Sequence, residues 1–515
     1  MSKDTTPDLI LYNAKVITLN PKDPIADFVS IKDGKILNVG SLNNLNHLGL
    51  PNIRSLNCQG YTLIPGFIDA HMHIFGYSSS LVSIDCTPKN IDSIAEIKIA
   101  IKQKLNAIDQ WQWIRGTGYN EFYLKERRHP NRWDLDEVAP NHPIKLNHRS
   151  GHACVLNSAA LREINITKDT PDPPNGIIDR NWETGEPTGL LFEMETNIEK
   201  LIPKISKTEM LSGIAKANRS LISKGITSVQ DATISNNLEN WSRFRNIRND
   251  GLFFPRITMM VGASNIAGFN NRKLRFGSIN GDIPLGHTKI IISQTTGASQ
   301  PSVEELHQIV ELASQSKLPL ALHAIETTSI EDAICVINNY PNNREHFVHR
   351  IEHCFEPTPR LIAKIKASGI AVVTQPSFIY YNGDQYLKQI SGSKQTSVYP
   401  LKSLIRSGIL VASGSDAPVA PIDPIIGIYG AVTRRTKNGA PLGQLEALSP
   451  LEALVMHTKN GAYVAMEEEI KGSIEPGKLA DLVLLGNNPT SLPIENLKEI
   501  QVLMTIIGGE IVFEK

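Results

Sequence analysis

Gly66–Phe67–Ile68–Asp69–Ala70–His71–Met72–His73 closes an apolar run with two histidines two residues apart. Side chains at i and i+2 of a β-strand point to the same face. A strand over Leu63 to Ala70 therefore delivers His71 and His73 side by side at its end. Two imidazoles projecting together suit a borderline-soft divalent ion such as zinc. The pair alone is weak evidence, and its weight depends on whether further ligands end other strands of the same sheet.

Downstream, strand-like runs alternate with helical stretches, the pattern of parallel α/β folds. After Leu63–Ala70, strands are expected at Ile226–Asp231, Arg256–Val261, Thr288–Ile292, Pro319–His323, Phe347–His353, Ile370–Gln375 and Ile409–Asp416. Glu304 to Ser316 and Thr358 to Ser368 are connecting helices. Eight such strands predict a (β/α)8 TIM barrel, whose chemistry sits at the C-terminal ends of its strands. Between the first and second strands lies a long excursion, about 77–223, with its own strand candidates at Trp113–Thr117 and Pro143–His148. A structureless loop of that length is improbable, so a folded insertion at the barrel mouth is expected.

The two chain ends share a different texture. Asp8–Thr18, Phe28–Ile31 and Lys35–Gly40 are short strand candidates, with Asp33–Gly34 as a hairpin turn. Ala480–Leu485, Val502–Ile507 and Ile511–Phe513 repeat the pattern at the other end. Isolated hairpins are marginal in water, so the ends are expected to pair. The domain reading is a composite β-sandwich from 1–62 and 466–515, and a barrel over 63–465 that carries the insertion.

The 515 residues exceed what one small core needs. Lys+Arg and Asp+Glu both number 52, and this balance argues against a nucleic-acid or membrane-surface binder. Five cysteines at unpaired spacings fit a reducing compartment. Met1 to Asp8 is polar, without a basic-then-apolar leader. No apolar run approaches a membrane span. The expectation is a soluble cytoplasmic protein.

His323 ends the fifth expected strand, His353 the sixth and Asp416 the eighth. Each alone could cap a helix or satisfy a loop backbone. Together with His71 and His73, in barrel order and at one face, they supply imidazoles and a carboxylate for a metal centre. His349 shares a face with His353 by period two, and is read either as lining the barrel interior or as a packed, hydrogen-bonded core residue.

PGFIDAHMH, ALHA, HRIEHC and SGSDAPV, in that order, resemble the signatures of the metal-dependent amidohydrolase superfamily. The stretch Lys471 to Val483 resembles that family's return into its β-sandwich. Arg149–Ser150–Gly151–His152, Asn157 to Leu161 and Gly189–Leu190–Leu191–Phe192–Glu193 resemble the N-substituted formamide deformylase-like branch. The resemblance implies His71, His73, His323, His353 and Asp416 as ligands to one or two divalent ions, with Lys289 carbamylated by carbon dioxide as a bridge. Glu193 is the alternative bridge. Where the branch often has Asp-Gly after the fourth strand, this chain has Ser293–Gln294.

Under that resemblance Asp416 serves as ligand and as base toward the attacking water, whose pKa a bound dication lowers to about 7. It then returns the proton to the departing nitrogen. His152 is expected to help stabilise the oxyanion. Arg149, His152, Glu193 and Tyr119 are candidate substrate contacts, although Arg149 and His152 equally fit a role tying the insertion to the barrel rim. A homodimer is implied by the resemblance alone. Three readings follow. The first is a hydrolase of a carbon–nitrogen bond in a small non-peptide amide, acting through metal-activated hydroxide. The second is a mononuclear aminohydrolase deaminating a heterocycle, which needs no carbamylated Lys289. The third is a barrel scaffold without catalysis.

Overall fold

The computed structural model describes all residues except 1–5, 43–52, 107–111, 174–175, 294–299, 342–346 and 393–394. Its central element is a parallel sheet of eight strands in consecutive order: β1 (Phe67–Met72), β2 (Ile226–Asp231), β3 (Arg256–Gly262), β4 (Ile283–Ile291), β5 (Leu320–Ala324), β6 (Arg350–His353), β7 (Ala371–Thr374) and β8 (Val411–Ser413). The sheet curls until its edges meet. Beyond the end of β8, Asp416 N–H donates to His71 C=O at 2.7 Å, and His73 N–H donates to Ala417 C=O at 2.9 Å. Only glycine fits at 414, because a Cβ there would lie 2.7 Å from His71 N. The result is a nearly closed (β/α)8 TIM barrel, as expected.

The connecting helices start where the sequence places caps. Val303–Gln315 opens with a capping box of Ser302 and Glu305 and buries Leu306, Val310 and Ala313 along one stripe. Pro359–Ala367 starts from the Thr358 cap with proline in its first turn, and buries Leu361, Ile362 and Ile365. Each such aliphatic side chain contributes about 1.5–3 kcal/mol when removed from water.

Both chain ends join a second sheet. It runs Glu510–Glu514, Val502–Ile507, Leu482–Leu485, Thr62–Pro65, Leu9–Ile17, Ile25–Lys32 and Lys35–Gly40, with Ser55–Asn57 paired to Leu9–Ile17. The hairpin at Asp33–Gly34 has φ values of 49° and 72°, as an Asp-Gly turn allows. One expectation needs correction. The apolar run from Leu63 to Ala70 is two strands: Thr62–Pro65 pairs antiparallel with Leu482–Leu485, and the barrel begins at Phe67. The break falls on Gly66, which passes so close to β2 that a Cβ would sit 2.1 Å from Thr227 Oγ1. The two sheets thus change over at residue 66, later than the 62/63 boundary read from hydrophobicity.

The insertion holds a third sheet, in the order Ile177–Arg180, Pro187–Phe192, Ala153–Leu156, Ile144–His148, Ile114–Tyr119 and Ile84–Asp85. It has its own core, which includes Ile94, Ile97, Ile101, Leu135 and Leu146. Its extent is shorter than 77–223. The helix Lys207–Ser223 buries Ile214, Ala217 and Leu221 in the same cluster as the barrel strands, so it is the crossover helix leading into β2. Among the described residues, no helix is long and apolar enough to cross a membrane.

Because Leu482–Leu485 is the neighbour of Thr62–Pro65, removing residues 470–515 should expose a long apolar strand edge. The truncated protein is expected to aggregate, seen as void-volume elution in size-exclusion chromatography. A monodisperse, active truncation would contradict this account of the shared sheet.

Candidate metal centre and active site

The C-terminal ends of the barrel strands converge on one cluster. His71 Nε2 lies 3.4 Å and His73 Nε2 lies 3.1 Å from the same oxygen, Asp416 Oδ1. These three groups offer ligand atoms within 4.8 Å of one another. His353 packs against the cluster, its ring 5.0 Å from His71 and 4.4 Å from His323. Lys289, buried at the end of β4, brings Nζ to 3.5 Å from His71 Nε2. The structure therefore gathers His71, His73, Lys289, His323, His353 and Asp416 at one end of the barrel.

These donors suit a divalent ion. His353 Nδ1 contacts Gln375 Oε1 at 2.9 Å, while its buried Nε2 has no hydrogen-bond partner among the described residues. An orphaned buried imidazole nitrogen beside two further imidazoles and a carboxylate is a donor set that fits a divalent ion. Protonation follows the same logic. Burial, reinforced by the Lys289 charge, pushes His71 down to about 3. Burial and the neighbouring His353 lower His323 well below the ordinary range. Burial also lowers Lys289 to about 8. Burial alone would raise the Asp416 carboxyl, but the His73 hydrogen bond and the surrounding imidazoles outweigh it and hold the group ionised. Neutral imidazoles and a carboxylate are the forms that bind metal.

Two candidate ligands reach the cluster through unusual backbone. His353 has φ 70° and Asp416 has φ 56°, in the left-handed region. A non-glycine residue there costs of order 1–3 kcal/mol, and the turn it makes redirects the side chain. This explains why alternation misleads along β6. Arg350 and Glu352 face the barrel interior: Arg350 donates from Nη2 to Ala70 C=O on β1 at 2.6 Å and reaches Gln230 Oε1 on β2. His349 does not line the interior. It packs outward against Tyr340, ring centroids 4.5 Å apart, and accepts a hydrogen bond from Leu320 N–H.

Sequence reasoning missed Glu352. It is fully buried, ion-paired to Arg350 and hydrogen-bonded to His71 Nδ1. A carboxylate on the far nitrogen fixes the tautomer that leaves Nε2 for the metal. Its signal was present, since Arg and Glu two apart in an otherwise apolar strand imply a buried pair. Asp69 was also overlooked. It accepts from His71 N–H at 3.2 Å and Ser415 N–H at 2.9 Å, joining the ends of β1 and β8.

The candidates on the insertion separate. His152 sits at the rim, its ring 6.1 Å from that of His323, with Nδ1 3.0 Å from Glu193 Oε2. That hydrogen bond to Glu193 raises the His152 pKa. Glu193 thus engages His152, whereas the place beside His71 belongs to Lys289. Arg149 Nε donates to Val419 C=O at 3.0 Å, in the loop after Asp416. Tyr119 is not a substrate contact. It is completely buried in the insertion core, and its hydroxyl lies 3.1 Å from His129 Nδ1. Ser293 pairs through its backbone with Gln300, while Gln294 lies outside the described residues.

A parallel barrel with a His–His–Asp cluster at its strand ends defines a metal-dependent hydrolase. The chain belongs to the amidohydrolase family, whose sequence pattern matches residues 54–513. It is thus an enzyme that hydrolyses carbon–nitrogen bonds other than peptide bonds. It is 29% identical to the N-substituted formamide deformylase of Arthrobacter pascens, over 99% of this chain and 98% of that protein. It is 27% identical to the YtcJ protein of Bacillus subtilis, over 98% of this chain and 99% of that protein. The fold matches an uncharacterised metal-dependent hydrolase from Pyrococcus horikoshii with TM-score 0.75 and 21% identity, covering 95% of this chain and 99% of that one.

Because the orienting carboxylate and the ligand itself act differently, their variants should differ. His71→Ala should abolish metal binding, whereas Glu352→Gln should retain the fold and weaken affinity by about 10–100-fold. The loss of Glu352's charge also leaves Arg350 unpaired, so a lower Tm is expected. Elemental analysis and competition with a chelator check both. Unchanged affinity in Glu352→Gln would remove its orienting role.

Proposed function

We propose that this enzyme cleaves the carbon–nitrogen bond of a small non-peptide amide at a centre of two divalent ions, zinc by preference, bridged by carbamylated Lys289. The observation that carries this reading is the position of Lys289, whose buried Nζ stands 3.5 Å from His71 Nε2 inside the ligand cluster. A lysine left as an ammonium would oppose a cation there. Carbamylation would convert it into an anionic oxygen ligand, and burial favours the neutral amine that reacts with carbon dioxide. A mononuclear deaminase needs no such lysine, which places that alternative second. A scaffold without catalysis is third, since the ligand set is intact.

Bound divalent ions supply Lewis-acid polarisation of the amide carbonyl and acidify the attacking water. Asp416 takes the water proton and passes it to the departing nitrogen. His152, whose protonated form the Glu193 hydrogen bond favours, would hold Nδ1–H toward Glu193 and offer Nε2–H to the oxygen that gains charge. A cytoplasmic location fits the five free cysteines, none of which forms a disulfide.

Reconstitution of metal-free protein should require bicarbonate as well as zinc. Lys289→Ala should lose at least about 100-fold in kcat together with part of the metal, with partial rescue by added short carboxylic acids. Lys289→Arg should fail, because guanidinium keeps its charge. A labelled-bicarbonate carbon NMR spectrum gives the direct reading. An unmodified Lys289 in active, fully metallated enzyme would end the bridged assignment.

The His152 role has its own signature in the pH–rate profile. A protonated donor is present below its pKa, and Glu193 raises that pKa. Glu193→Gln should therefore move the alkaline fall of activity to lower pH. An alkaline limb that does not move would exclude His152 as the donor.

A further inference from the structure

The imidazoles of the ligand cluster differ in what meets their far nitrogen. His71 Nδ1 meets the Glu352 carboxylate, His73 Nδ1 lies 3.2 Å from Thr233 Oγ1, and His353 Nδ1 lies 2.9 Å from Gln375 Oε1. Gln375 follows the last residue of β7, as Asp416 lies just beyond β8. It is fully buried, and Phe378 N–H donates to its C=O at 3.0 Å. The next residue, Pro376, has its φ fixed by its ring, so the turn that presents Gln375 is well defined. Its amide nitrogen has no hydrogen-bond partner among the described residues. The contact with His353 is therefore the side chain's one hydrogen bond among them.

His353 needs such a hold. Its φ of 70° takes it out of the regular strand, so the pleat does not set the direction of its ring. A neutral imidazole carries one proton, on Nδ1 or on Nε2. Only the Nδ1–H form leaves a lone pair on Nε2, the buried atom that has no partner. An amide oxygen at Nδ1 accepts from that N–H and selects this form. It does so less firmly than a carboxylate, because charge-assisted hydrogen bonds are roughly twice as strong as neutral ones.

We propose that Gln375 is a positioning residue, which holds His353 as the Nδ1–H tautomer with Nε2 toward the bound ion. Because its amide is neutral, His353 is a weaker ligand than His71, whose partner is charged. The inference rests on His353 being a ligand, as in the reading above, and is independent of the number of ions and of carbamylation at Lys289. Gln375 touches no reacting atom.

The test compares full-length wild type, Gln375→Met, Gln375→Glu and His353→Ala, each stripped of metal and titrated with cobalt(II) against a chelator. Gln375→Met keeps the length of the side chain without the acceptor, and its cobalt affinity should fall by about 10–100-fold. Gln375→Glu supplies a charged acceptor and should bind cobalt at least as tightly as wild type. Long-range proton–nitrogen NMR on protein with isotope-labelled histidine reads the tautomer in the metal-free state, the His353 signal being the one lost in His353→Ala. Wild type should show Nδ1–H, and Gln375→Met a mixture of the two forms. Undiminished cobalt binding by His353→Ala would remove His353 from the ligand set and overturn the inference with that part of the reading. Loss of cobalt in His353→Ala with unchanged affinity in Gln375→Met would overturn the inference alone, as would a wild-type His353 in the Nε2–H form. A purely structural glutamine predicts a lower Tm in Gln375→Met with affinity and tautomer unchanged, and that result also refutes it. If Gln375→Met does not fold, the wild-type tautomer and the affinity of Gln375→Glu decide: cobalt binding by Gln375→Glu weaker than wild type counts against the role.

Discussion

The buried pair of Arg350 and Glu352 holds the interior of this barrel together. Both side chains are fully buried on β6, and between them they reach β1 and β2 across the lumen. Burying two charges costs several kcal/mol per ion unless their remaining donors and acceptors are met. Here Glu352 accepts from Arg350 and contacts His71, while Arg350 also reaches Gln230 and the Ala70 carbonyl. An apolar replacement of equal volume could fill the space, but it could not set the tautomer of His71. The pair therefore converts packing inside the barrel into orientation at its rim.

That rim is built against local backbone preference. His353 and Asp416 both adopt left-handed φ, and both are brought by it to the ligand cluster. Asp tolerates this region better than most residues, whereas histidine there is less common. The surroundings hold them in place: Gln375 contacts His353 Nδ1, and Asp416 N–H is fixed to the His71 carbonyl. The same hydrogen bond that closes the barrel thus places the carboxylate between His71 and His73. Closure and metal geometry are one constraint.

The barrel was legible in the sequence because its signals are local. Each strand is a short apolar run, helices such as Val303–Gln315 and Pro359–Ala367 begin at a side-chain cap, and His71 and His73 follow from period two. What escaped depends on positions where periodicity is broken. Along β6, period two from His353 left His349 open between the barrel interior and a packed, hydrogen-bonded place, and the structure takes the second because φ 70° at His353 turns that ligand out of the strand's alternation. The run from Leu63 to Ala70 looked like one strand, since nothing in apolar composition shows that Gly66 must slip past Thr227. Tyr119 was a candidate contact because it belongs to the insertion expected at the barrel mouth. Its burial follows from the insertion's own core, which exists only once the strands are assembled.

The division between barrel and insertion has a consequence for how such an enzyme changes substrate. The metal ligands and the Arg350–Glu352 pair sit in close-packed barrel strands, where a one-methylene change is felt. Arg149, His152 and Glu193 come from a separately cored sheet, which Arg149 ties to the loop after β8 through Val419. Substitutions in that sheet can therefore reshape the rim while leaving the packing of the barrel cluster intact. Substitutions on β6 cannot alter specificity without disturbing His71 as well. Selection for a new substrate then acts first on the insertion, which also explains why the strand-end motifs are readable in one sequence while the substrate is not.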